Sequence, residues 1–93
     1  MKNLKPSMRE NKRYLLIKGK NLRINVEKAI LEFIGILGMS KTALSFIKLD
    51  SNSAIISINR EALDLVRASF AVYPEKILVE RVSGTVRGLR RIR

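Results

Sequence analysis

Between Asn25 and Gly38 the residues Val26, Ala29, Ile30, Phe33, Ile34 and Leu37 recur at the i, i+3, i+4 spacing of a helix with one apolar face. Such a stripe is unstable in water until another element covers it, so the rest of the chain has to supply the cover. Asn25 has the side chain of an N-cap, Glu27 puts an acid in the first turn where the helix dipole favours one, and Gly38 supplies a stop. Strand patterns lie on both sides of this helix. Arg13 to Lys18 is rich in β-formers and ends at Gly19, while Thr42 to Asp50 and Ser53 to Ile58 flank a short polar turn, Ser51-Asn52.

Asn59 then heads a second helix that carries Leu63, Val66, Phe70 and Tyr73 on one face, and Pro74 stops it. Lys76 to Val82 is the last strand before the interruption Ser83-Gly84-Thr85. Strand, helix, strand, strand, helix, strand predicts a single α+β domain, a ferredoxin-like or RRM-like βαββαβ sandwich. Its sheet would be four-stranded and antiparallel in the order 4-1-3-2, with two helices on one face. Residues 1–12 read as a basic arm, 13–87 as the folded core and 88–93 as a basic tail.

The chain has 93 residues, enough for one core, and neither cysteine nor histidine. That excludes disulfides, zinc-finger spacing, thiol nucleophiles and histidine-based acid–base catalysis. No stretch is apolar for long enough to cross a bilayer and no signal-peptide pattern opens the chain, so a cytoplasmic protein with no membrane partner is expected.

Net charge is +11, and its distribution is uneven. Residues 1–23 hold eight Lys/Arg and one acid, residues 75–93 hold six and two, and residues 24–74 hold five of each. The excess therefore belongs to the two ends, which makes the middle a scaffold and the ends a surface for a polyanion. In the tail, arginine alternates with Gly, Leu and Ile, which predicts an extended segment with Arg87 and Arg91 on one side and Val86 and Ile92 toward the other. Arginine suits the task because its planar fork grips phosphate in a bidentate way. In the expected sheet, strands 1 and 4 are antiparallel neighbours. Lys2, Lys5, Arg9, Lys12 and Arg13 would then meet Arg87, Arg90, Arg91 and Arg93 at one end.

The third strand has no aromatic and the first offers only Tyr14, so reading bases by stacking is not expected; contacts to phosphate and RNA shape are. The eight carboxylates are scattered, and Glu61 and Asp64 are explained by a helix dipole alone. No catalytic residue, metal site or protein-bound cofactor is expected.

Two stretches carry a family resemblance: Lys5-Pro6-Ser7-Met8-Arg9-Glu10-Asn11-Lys12-Arg13-Tyr14-Leu15 at the start and Val82-Ser83-Gly84-Thr85-Val86-Arg87 at the close. Together they resemble the signatures of archaeal ribonuclease P protein component 2, a family with eukaryotic members in nuclear ribonuclease P and the related mitochondrial RNA-processing ribonuclease. The resemblance implies a subunit that is non-catalytic alone. Its RNA partner cleaves the 5′ leader from precursor tRNA with Mg²⁺ held on the RNA, and precursor tRNA is an indirect partner. It further implies ribonuclease P protein component 3 and other ribonuclease P subunits as protein partners. Carried over by position, Arg9, Lys12, Arg13, Thr85 and Arg87 are expected at or near RNA, with Arg90, Arg91 and Arg93 as looser phosphate contacts. Leu22, Ile24, Ile36 and Met39 are the candidates for a protein partner. The alternative is a stand-alone ferredoxin-like interaction or regulatory module with non-specific RNA affinity.

Overall fold

The structure is a computed structural model that describes residues 12–90. Four strands form one antiparallel sheet: β1 (Lys12–Gly19), β2 (Ser45–Leu49), β3 (Ser53–Asn59) and β4 (Ile77–Ser83), in the order β2-β3-β1-β4. That is the expected order, read from the opposite edge. β1 is central and pairs antiparallel with β3 on one side and β4 on the other.

Side-chain alternation along β1 and β3 defines the covered face. Leu15, Ile17, Ala54, Ile56 and Ile58 are buried there and form one core with Val26, Ala29 and Ile30 of helix α1 (Leu22–Thr42) and Val66 and Phe70 of helix α2 (Leu63–Val72). A short 3₁₀ turn, Arg60–Ala62, leads from β3 into α2. Asn59 precedes this turn without a side-chain cap. Its amide instead accepts from Lys12 Nζ (3.0 Å) and donates to the Lys41 carbonyl (2.7 Å), which ties the start of β1 to the end of α1.

Helix α1 departs from the sequence expectation at both ends. It begins at Leu22, so Asn25 lies inside it, where Asn25 Nδ2 donates to the Lys20 carbonyl at 2.8 Å. It also runs past Gly38 to Thr42 and is broken at Gly35, whose φ of 88° is a conformation that glycine alone adopts without strain. The break changes the helical phase. Leu37, in register with the apolar stripe, is consequently 79% exposed; Phe33, which precedes the break, is partly exposed as well.

The largest correction concerns the C-terminal segment. Val86–Arg90 is not an extension of a strand but a one-turn helix, α3, that packs on β1 and β4. Thr85 Oγ1 accepts from the Gly88 N–H (3.0 Å) in an N-cap bond, and Ser83 Oγ accepts from the Thr85 N–H (3.2 Å). Gly88 lies so close to Ser83 that a Cβ there would collide with Ser83 Oγ. Ser83 pairs with Tyr14, one residue out of phase with core-facing Leu15, so α3 lies over the second face of the sheet. Leu89, only 1% exposed, anchors it and lies outside the main core cluster.

Five residues cannot hold a helix in water alone, so α3 depends on that anchor. Leu89→Ala is expected to lower unfolding free energy by about 2–4 kcal/mol, the usual range for truncating a buried leucine. Urea unfolding measures it directly; a change below about 0.5 kcal/mol would mean that α3 is not docked.

Candidate nucleic-acid interface

The antiparallel pairing of β1 with β4 places Tyr14 opposite Ser83, so the residues preceding Tyr14 and following Ser83 share one end of the sheet. Arg13 reaches across to that turn: its Nη1 lies 3.6 Å from where a Cβ on Gly84 would stand, and it donates to the Lys12 carbonyl at 2.9 Å. The head of its guanidinium is thereby fixed beside the Ser-Gly-Thr turn. Arg87 is exposed one residue into α3, and Arg90, the last residue of that helix, follows one turn later. Helical spacing puts position 87 on the side away from Leu89. Arg87, anticipated on a strand face, thus stands on a short helix instead.

Thr85 has a structural task that the sequence expectation did not include, because its oxygen caps α3. A hydroxyl that accepts one bond still has a proton to donate, so capping and a phosphate contact are compatible. Arg9, Arg91 and Arg93 lie outside the described residues.

Two further cations join this end. Arg60 follows Asn59, the register partner of Lys12, and Lys41 is held to Asn59 through its carbonyl. Neither stands out in the sequence, because both belong to the segment of balanced charge. The β1–β3 register is the signal that reveals them. Among the described residues, the one ion pair joins Lys18 Nζ to Glu80 Oε2 at 3.6 Å, so Lys12, Arg13, Lys41, Arg60 and Arg87 have no carboxylate at bonding distance. Such a group repels itself and is relieved by a polyanion.

Not all of the terminal charge collects here. Lys18 and Lys20 at the far end of β1 and Lys76 before β4 line a cavity at the opposite end of the sheet. Lys12, Arg13 and Arg87 share one end of the sheet, and these lysines stand at the other. Among the described residues, no three carboxylates stand close enough to hold a metal ion.

The residues anticipated for a protein partner separate as well. Leu22, 2% exposed, belongs to the core and presents nothing to a partner, and Met39 is half-buried against the same core. Ile24 and Ile36 are exposed, and Leu31, Phe33, Leu37, Leu65 and Val72 join them on the helical layer. Ile34, Leu37, Gly38, Ala62 and Leu65 line a groove of about 330 Å³ between α1 and α2.

Comparison with known proteins gives this geometry a family. The chain is 32% identical to ribonuclease P protein component 2 of Methanocaldococcus jannaschii, over 94% of this chain and 75% of that protein. It is 30% identical to the protein of the same name from Methanococcus maripaludis, over the whole of this chain and 80% of the relative. The chain belongs to the ribonuclease P protein component 2 family. A third component 2, from Methanococcus vannielii, is 31% identical over 97% of the chain. No protein-family model matches. Among solved structures, a chain in the cryo-EM structure of yeast ribonuclease MRP superimposes with a TM-score of 0.67 at 16% identity, covering 91% of this chain and 79% of that one, which is a likeness of fold. The Ser-Gly-Thr turn can be tested as a structural device in its own right. Thr85→Val removes the capping oxygen and is expected to cost about 1 kcal/mol. Faster amide exchange confined to residues 86–90 would confirm it; unchanged exchange there would contradict the capping role.

Proposed function

We propose that this chain serves as a protein subunit of ribonuclease P that is non-catalytic alone and steadies the catalytic RNA through its basic end. The observation that carries the reading is kinship over nearly the full chain with three proteins named ribonuclease P protein component 2. The convergence of Arg13, the Ser83-Gly84-Thr85 turn and Arg87 at one end of the sheet supports it.

A folded RNA brings its own phosphates together and must neutralise them. Cations fixed on a protein do this while releasing the RNA's bound counterions to bulk solvent. In this reading the RNA cleaves the 5′ leader of precursor tRNA with Mg²⁺ bound to RNA, and the protein contacts precursor tRNA only indirectly. The βαββαβ frame is read as ferredoxin-like, with α3 added on the second face. We place the protein in the cytoplasm; no helix among the described residues is long and apolar enough to cross a membrane.

Component 3 is the proposed protein partner, with other ribonuclease P subunits beside it. The exposed apolar residues of α1 and α2, Ile36, Leu37 and Leu65 among them, are the surface assigned to it. That layer falls within the segment of balanced charge, so docking a protein there does not compete with RNA for the basic end.

The test is reconstitution of precursor-tRNA cleavage with ribonuclease P RNA and the partner proteins, with and without this chain. Arg13→Ala/Arg87→Ala is expected to remove most of the stimulation while leaving the melting temperature nearly unchanged. In direct binding, about six phosphate contacts give a log–log salt slope on the order of −4 to −5, and the double variant should flatten it by about two. Wild-type stimulation by that variant, or equal binding to an unrelated folded RNA, would refute the reading.

A further inference from the structure

β1 leaves the sheet at Gly19, opposite Ile77 at the start of β4, so the connections beyond these residues share the end of the sheet far from Arg13 and Arg87. There Lys18, Lys20 and Lys76 converge on a cavity of about 370 Å³, lined also by Gly19, Glu75 and Leu78. Three features hold this cluster in place. The Gly19 N–H donates to the Asn52 carbonyl at 3.0 Å, and Asn25 Nδ2 donates to the Lys20 carbonyl at 2.8 Å. The third is close approach: a Cβ on Gly19 would come within 2.7 Å of the Lys76 carbonyl oxygen, so only glycine lets the two connections meet. The lysines therefore come together on a braced backbone rather than on loose loops.

The acids nearby do not neutralise the site. Glu80 is engaged by Lys18, and Glu75 is the one carboxylate lining the cavity. Lys20 and Lys76 are exposed and have no ion-pair partner among the described residues. Three lysines with one lining carboxylate, on a braced backbone around an open cavity, suit an anion.

We propose that Lys20 and Lys76, backed by Lys18, form a second phosphate-binding site for RNA backbone, so that the chain bridges two segments of one folded RNA. This rests on the nucleic-acid reading above and adds a second contact to it. The eight residues of β1 span about 25 Å at the usual rise per residue, roughly three screening lengths at physiological salt. The two ends therefore act as separate sites rather than as one diffuse patch. A protein with two such ends sets the spacing of the RNA segments it holds, which a single patch cannot do.

The test compares wild type with Lys20→Ala/Lys76→Ala and with a charge-matched control, Lys28→Ala/Arg67→Ala, on exposed positions of α1 and α2. Binding to ribonuclease P RNA is titrated across a salt series. Bridging is read as energy transfer between two short RNA duplexes, one labelled with a donor and one with an acceptor, in the presence of the protein. Lys20→Ala/Lys76→Ala is expected to flatten the salt slope by about two and to abolish energy transfer while still binding one duplex. The control should keep both the slope and the transfer. Retention of slope and transfer by Lys20→Ala/Lys76→Ala, or losses no larger than the control's, would overturn the second site. If wild type binds neither RNA, the nucleic-acid reading itself fails and the second site falls with it. Unchanged melting temperatures for both variants separate these outcomes from misfolding.

Discussion

Hydrogen bonding of β1 along both of its edges is the constraint on which the rest of the molecule depends. Because β3 and β4 both run antiparallel to it, one end of the sheet collects the start of β1, the end of β3 and the end of β4. The opposite end collects the residues after β1 and before β4. Every cation in these connections is thereby assigned to one end or the other. Alternation along the same strand sends Leu15 and Ile17 into the core with α1 and α2 and leaves Tyr14 and Leu16 on the face that α3 partly covers. One strand therefore sets the core and the placement of charge together.

The strands and their order were legible because each is a short run of β-formers bounded by polar or glycine residues, and the helix between the first two strands has an unmistakable period. Two local features were not. Gly35 breaks α1 in a way that no spacing rule detects, since the apolar pattern continues through it and only the backbone angle shows that Leu37 has left the core. In the C-terminal segment, Arg87 and Arg91 against Val86 and Ile92 suggest a period of two, and hence a strand. Yet Thr85 is a good N-cap, and Leu89 three residues beyond Val86 has a vacant sheet face to bury itself against. Tertiary burial overrode the period-two pattern.

The candidate site shows the same division. Arg13 and Arg87 could be assigned to one end of the sheet from topology alone, and the structure has Arg13 beside the turn that leads to Arg87. Lys41 and Arg60 escaped notice because counting charge by segment hides where individual residues go once strands pair. Segment counts likewise do not show that Lys18, Lys20 and Lys76 stand apart from the arm, at the other end of a strand of eight residues. Charge in this protein is partitioned by sheet geometry: cations stand at both ends of the sheet, and the exposed apolar residues of α1 and α2 belong to the segment of balanced charge.

The most direct test of this partition is to record backbone amide shifts of the isotopically labelled protein as ribonuclease P RNA is added. Perturbations are expected in two groups, Lys12–Arg13 with Gly84–Arg87 at one end and Gly19–Lys20 with Lys76 at the other, with Ile36, Leu37 and Leu65 of the helical layer unmoved. Perturbations concentrated on the helical layer, with both ends silent, would contradict it.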